Sequence, residues 1–363
     1  MTELTSRQYI IVASIIMLTS KLVTMPSVVF SSASNDAIFS VIINSILELL
    51  LIFLITLAIA KNPNKGLFEV LKSKFTRVGA YIIIGLIAIY ALARVTFCYE
   101  ELYSFFLELL YDEFSPYIFA IPTFFVTGYL AYKGARTIGR TLEILFWFIL
   151  IGTIVSVVCN VGFMSFDTNM PYFQNGIMPV LEGSGSSAFY FGNSICLLFF
   201  MGKVRIDDNL VKKTIISSSV IALLIIAFCF IFYDVFGLSM QYILFALSQY
   251  SQYDPFILEL QRLVWLSAIV DITKLFCSTA CLAYCLGQAG KTFMQSKTTL
   301  LPILTTFLLI FSLATILHYD LLVMIELVRN YISYITIGLI TLTIIICIIL
   351  SISRRQNAQK FIQ

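Results

Sequence analysis

Long apolar stretches separated by short polar ones dominate the chain. A helix needs about 20 apolar residues to cross the hydrocarbon core of a bilayer. Ten stretches meet that need, at roughly 8–30, 37–60, 79–109, 115–132, 142–163, 184–202, 214–236, 256–288, 300–318 and 327–350. The third and eighth are long enough to run tilted. Two of the ten are interrupted. Thr19, Ser20 and Lys21 break the first, while Gly183-Ser184-Gly185-Ser186-Ser187 leads into the sixth and Gly192-Asn193-Ser194 breaks it. Broken helices at corresponding positions of two five-helix halves point to an inverted repeat with a ligand held between the breaks. The pattern therefore predicts an all-α membrane protein of ten transmembrane helices, a 5+5 inverted repeat of LeuT-like transporter type with helices 1 and 6 broken. One transmembrane domain covers 1–363, with helices 1–5 at about 8–163, helices 6–10 at about 175–350 and a tail at 351–363.

Composition agrees with a lipid solvent. Hydrophobic residues make up 60% of the chain and charged residues 12%, against roughly half and a quarter in soluble domains. Met1 to Arg7 is polar and no small-residue cleavage site follows, so the first stretch counts as a span. Charge adds direction. Eighteen of the 23 Lys and Arg fall before helix 1, in the loops 2–3, 4–5, 6–7 and 8–9, and after helix 10. The opposite loops carry Asp36, Asp112, Glu113, Asp167, Glu182, Asp254 and Asp320 instead. The positive-inside rule then puts both termini in the cytoplasm. Two long outer loops, 164–183 and 237–255, suit amphipathic surface helices.

Five basic residues remain within the apolar stretches: Lys21, Arg94, Arg262, Lys274 and Arg329. Intramembrane charge is costly and needs a partner. Glu259/Arg262, Asp271/Lys274 and Glu326/Arg329 are i, i+3 neighbours that can pair locally. Lys21 follows Arg7 by about 21 Å of helix at 1.5 Å per residue, near the midplane. Arg94, with Glu100 and Glu101 two turns on, and Asp271 with Lys274 lie at similar depth. They form either a structural ion-pair cluster or a ligand or ion site. Lys21 is expected to pair with Asp271, to stand where a coupling cation would bind, or to meet a carboxylate.

The second candidate is Phe189-Tyr190-Phe191-Gly192-Asn193-Ser194. Gly192 permits unusual backbone angles, and amides freed at a half-helix N-terminus attract an anionic group. The candidate ligand-binding residues are thus Thr19, Ser20, Lys21, Phe189, Tyr190, Phe191, Gly192 and Asn193. The candidate ion-pair or coupling residues are Lys21, Arg94, Glu101, Asp271 and Lys274. The eight cysteines all lie in apolar stretches, and Cys277, Cys281 and Cys285 share one helix face, which favours close packing over a disulfide framework or a metal site. His318 reads as interfacial. No catalytic group, metal, cofactor or nucleic-acid site is expected.

Several local sequences point further. Thr5-Ser6-Arg7-Gln8 opens the chain and Met25-Pro26 closes the first helix. Leu67-Phe68-Glu69 precedes a basic stretch. Ala131-Tyr132-Lys133-Gly134-Ala135-Arg136-Thr137-Ile138-Gly139-Arg140 runs into Glu143-Ile144-Leu145, and Asn175-Gly176-Ile177-Met178-Pro179-Val180-Leu181 enters helix 6. In these the chain resembles the B subunits of spore germinant receptors, the endospore germination permeases of the amino acid/polyamine/organocation transporter superfamily, over essentially its whole length. It departs from them at the breaks. Thr19, Ser20 and Lys21 stand where Gly-Thr-Ser is usual, and Phe191-Gly192-Asn193 where Phe-Gly-Glu is frequent. Arg262 and Asp271 only loosely echo an Arg and Asp near the start of helix 8.

The resemblance implies a place in the spore inner membrane. It implies an A subunit and a C-subunit lipoprotein as partners, and a small germinant, commonly an amino acid, as ligand. The alternative is a working secondary transporter of amino acids, proton-coupled through Lys21 or Asp271.

Overall fold

The apolar stretches fold as helices. A computed structural model of the chain describes residues 3–19, 21–110, 117–158, 172–247, 261–295 and 321–352. Helix α1 (Ser6–Leu18) starts at a capping box. The Thr5 hydroxyl accepts from the Gln8 amide at 3.3 Å and the Gln8 side chain accepts from the Thr5 amide at 3.2 Å. It ends at Thr19, whose backbone is extended and whose hydroxyl donates to the Ile16 carbonyl at 3.1 Å. A turn through Lys21 to Thr24 leads to α2 (Met25–Ala33), with Pro26 in its first turn, where a missing amide costs nothing. One 3₁₀ turn (Ser34–Asp36) connects it to α3 (Ala37–Lys61). Then come the short α4 (Leu67–Lys74), α5 (Arg77–Leu110), α6 (Tyr117–Lys133) and α7 (Ala135–Val158).

The second half opens with α8 (Met178–Phe191), which passes at Gly192 into a 3₁₀ segment, Gly192–Phe200. It continues through α9 (Leu210–Phe236), a 3₁₀ segment (Gly237–Tyr242), α10 (Gln261–Met294), α11 (Leu321–Leu327), a π-turn (Val328–Ile332) and α12 (Ser333–Ile352). Six stretches are long and apolar enough to cross a membrane: Met25–Lys61, Arg77–Leu107, Ala135–Val158, Leu210–Tyr242, Trp265–Met294 and Leu321–Ser351. This is a multi-pass membrane protein. Among the described residues this is fewer than the ten expected. The helices on either side of both breaks are short, α6 has 17 residues, and the stretch at 300–318 lies outside the described residues, as do His318 and Glu259, the acid of the expected Glu259/Arg262 pair.

The interrupted helices occupy the middle. Helix α2 packs on α8, and α1 packs on α7, α9, α10 and the 3₁₀ segment 192–200. Every residue of that segment is buried. The surrounding helices turn Leu50, Ile89, Phe125, Ile144, Leu223 and Ile335 outwards, each at least 45% exposed. Apolar residues on both sides of a helix are what a helix between protein and lipid requires.

Each end of the bundle is tied by polar contacts. At the N-terminal end, Leu4 pairs with Val204 as an isolated bridge. The Leu4 amide donates to the Lys203 carbonyl at 2.8 Å and the Arg205 amide to the Leu4 carbonyl at 2.9 Å. Arg7 meets Glu143 at 3.0 Å, and Gln8 donates to the same carboxylate at 3.2 Å. At the other end, the Phe173 amide donates to Asp36 at 2.7 Å. Arg329 turns to the Ser31 hydroxyl at 3.3 Å instead of pairing with Glu326. In the long outer loops the described parts are the approach to α8, from residue 172, and residues 237–247, which open with the 3₁₀ segment 237–242; the rest of the expected surface helices lies outside the described residues.

Candidate functional site

The first centre forms around Lys21, in the turn between α1 and α2. Because α1 stops at Leu18, the Met17 carbonyl has no partner within the helix. The Lys21 ammonium donates to it at 2.5 Å and to both oxygens of Glu48, at 2.8 and 2.6 Å. That uses all three of its N–H groups. Glu48 comes from the middle of α3 and also accepts from the Ser194 hydroxyl at 2.7 Å. The Phe191 ring centroid lies 4.9 Å from the ammonium. Lys21 and Glu48 are wholly enclosed.

The expected Lys21–Asp271 pair is therefore corrected. Lys21 is neutralised by α3, and Asp271 pairs with Lys274 at 3.0 Å on its own helix, α10. Glu48 had escaped the sequence reading. Its signal was present, as an acid inside an apolar stretch with no basic residue three or four positions away. It belongs to a stripe at i, i+4, i+8. Ser40 donates to the Val180 carbonyl at 2.8 Å, and Asn44 donates to the Ser184 carbonyl and the Ser187 hydroxyl, each at 2.9 Å. With Glu48 on Ser194, this stripe joins α3 to the whole length of the interrupted helix.

The second centre forms around Arg94 of α5, which is fully buried. Its Nε donates to Asn193 Oδ1 at 3.0 Å. The Tyr90 hydroxyl lies 3.0 Å from the same oxygen and 3.0 Å from the Phe189 carbonyl. The Phe97, Phe189 and Tyr190 rings surround the guanidinium with centroids 5.2, 5.0 and 5.2 Å from Cζ. Glu101 stands 3.9 Å from Nη2, too far for a hydrogen bond. Thr24 Oγ1 lies 2.5 Å from the Glu101 carboxylate and 3.2 Å from the Tyr190 hydroxyl. Arg94 Nη1 and Nη2 and Asn193 Nδ2 find no hydrogen-bond partner among the described residues.

The expected residues thus divide. Phe189, Tyr190, Gly192 and Asn193 gather with Arg94 and Glu101, and Phe191 covers Lys21. Thr19 caps α1, Ser20 lies outside the described residues, and Asp271 and Lys274 form a separate pair. The second break falls at Gly192, within the expected Gly192-Asn193-Ser194. Gly183 to Ser187 stay within regular α-helix, and the Ser186 and Ser187 hydroxyls are returned to the Gly183 carbonyl at 3.2 and 2.7 Å instead of being left unpaired. Gly183 serves packing instead, since a Cβ there would stand 2.7 Å from the Ala33 Cβ. The geometry changes at Gly192, where a Cβ would lie 2.7 Å from Thr336 Cγ2 and 2.8 Å from the Tyr90 hydroxyl.

Other freed backbone groups are satisfied. The Val23 and Leu22 carbonyls accept from the Ala246 and Leu247 amides at 2.9 and 3.3 Å. The Cys285 thiol donates to the Cys196 carbonyl at 3.3 Å. Cys277, Cys281 and Cys285 are free and buried. Among the described residues, no group of His, Cys, Asp and Glu could hold a metal ion.

A helical membrane protein whose two interrupted helices meet around buried, paired charges is transporter-like in class. The chain belongs to the spore germination protein family, whose sequence profile matches residues 3–320. None of the curated proteins matches it.

Proposed function

We propose that this transporter-like germination protein is the germinant-sensing B-type subunit of a spore germination receptor. Its ten transmembrane helices form a 5+5 inverted repeat, and a small molecule, an amino acid, binds between broken helices 1 and 6. One observation carries the reading: the two breaks are wired to each other. Lys21 in the first reaches Ser194 in the second through Glu48, and Thr24 reaches Tyr190. A ligand that wedges between the breaks and disturbs either contact acts on both half-helices at once. It can therefore favour one of two arrangements through differential affinity.

The tethered ammonium favours sensing over ion-driven transport. In transporters of this architecture the unwound carbonyls and nearby acids coordinate the coupling ion. Here Lys21 already satisfies the Met17 carbonyl and the Glu48 carboxylate. The protein works in the spore inner membrane with both termini in the cytoplasm, beside an A subunit and a C-subunit lipoprotein. The test combines a deletion strain with liposomes that hold the full chain. Lost germination toward at least one amino acid, with no flux of that amino acid in liposomes, is the expected result. Sodium- or proton-driven uptake by the chain alone would replace this reading with the transporter one.

A further inference from the structure

We infer that Arg94 and Asn193 are the anchoring point for a carboxylate of the ligand; this rests on the sensor reading above. A guanidinium carries five N–H donors in a fixed plane. Among the described residues only one, on Nε, is used, by Asn193 Oδ1. Nη1 and Nη2 find no acceptor among the described residues, although Arg94 is wholly buried. The same holds for Asn193 Nδ2, from a different helix. A buried, charged donor left without an acceptor is among the more costly arrangements a protein can hold.

The surroundings narrow the acceptor. Phe97, Phe189 and Tyr190 rings crowd the guanidinium within 5.2 Å of Cζ. Rings attract the charge but cannot take up in-plane hydrogen bonds. Glu101 contributes charge from 3.9 Å without a hydrogen bond to the fork. What the fork matches is a planar pair of oxygens, accepted in parallel, and an Nδ2 amide adds a donor from the side. Lys21 is excluded from this role because its ammonium is fully engaged. The anchor joins α5 to the residue after Gly192, where α-helix gives way to 3₁₀, so a bound carboxylate would act on the second break directly.

The test uses spores with the complete receptor and, as probes, the twenty common L-amino acids, their carboxamides, glucose and inosine. Spores that lack this chain should lose the response to one or more amino acids, and the matching carboxamide should be about a hundredfold weaker on normal spores. Arg94→Lys keeps the charge but not the fork and should shift the dose for that amino acid about tenfold or more. Asn193→Asp supplies an internal carboxylate. It should abolish the response while raising the thermal midpoint of the full chain in nanodiscs by about 2–4 °C. A merely structural Arg94 would not separate these two readouts.

A response lost only to glucose or inosine overturns the carboxylate assignment and leaves the sensor standing. Normal dose–response in both Arg94→Lys and Asn193→Asp overturns the site, again without touching the sensor. Deletion spores that germinate like the parent with every probe overturn both.

Discussion

The Lys21–Glu48 pair makes the sharpest quantitative claim. The two side chains are wholly enclosed and 2.6 Å apart. At an effective dielectric constant of 20, their mutual attraction is about 6 kcal/mol before desolvation is subtracted. Removing one partner leaves the other as an uncompensated buried charge, which typically costs about 3–5 kcal/mol. Lys21→Met and Glu48→Gln should each destabilise the chain by about that much. The double variant removes both charges, and Gln keeps an acceptor for the Ser194 hydroxyl. It should be no worse than either single change, so the coupling between the two is about 3 kcal/mol or more. The assay is equilibrium unfolding of the full chain in mixed micelles, run as a double-mutant cycle. The paired control is Lys21→Met with Asp271→Asn, which should add within about 0.5 kcal/mol. Additive Lys21 and Glu48 effects, or strong coupling of Lys21 to Asp271, would refute the arrangement around the first break.

Three further outcomes are expected. Gly192→Ala pushes a methyl against Thr336 Cγ2 and the Tyr90 hydroxyl. It should cost about 1–3 kcal/mol, partly recovered by Thr336→Ser with Tyr90→Phe; no recovery in the unfolding assay would mean that the clash is not the cause. The Leu4–Val204 bridge ties the N-terminus to the segment after the second break. A Leu4→Cys/Val204→Cys pair should cross-link under mild oxidation, and the oxidised receptor should fail to trigger germination until it is reduced. Unimpaired triggering by fully cross-linked protein would show that this end need not open. On α10, Asp271→Asn and Lys274→Met should each destabilise by about 3–5 kcal/mol, and the double by less, with the germinant dose of the surviving receptor unchanged; a shifted dose would bring this pair into the site.

What could be read from the sequence followed from how local each determinant is. The first break was legible because Thr19 and Lys21 stand inside an otherwise apolar run, and a helix there would bury polar groups among lipid-like neighbours. The apolar spans were legible for the same reason. Partners were not, because depth along a helix leaves rotation about its axis free. Lys21 and Asp271 share a depth and still do not meet, whereas Glu48 sits on the face of α3 that Ser40 and Asn44 mark.

That face was itself readable. Three polar residues at i, i+4 and i+8 of an apolar helix must look into protein, and the acid among them needs a cation from another helix. The second break was legible at Gly192-Asn193-Ser194, whereas the small polar residues that lead to it are ambiguous. Ser186 and Ser187 can close hydrogen bonds within a helix as readily as they can interrupt one. What decides for Gly192 is long-range. Tyr90 stands by the Phe189 carbonyl, Cys285 takes that of Cys196 and Ser194 is drawn to Glu48, so three other helices hold the segment as its pattern changes. A break maintained by side chains from elsewhere is also one that a ligand can re-form. The residues that hold the second break are thus the ones through which binding beside Arg94 would be felt.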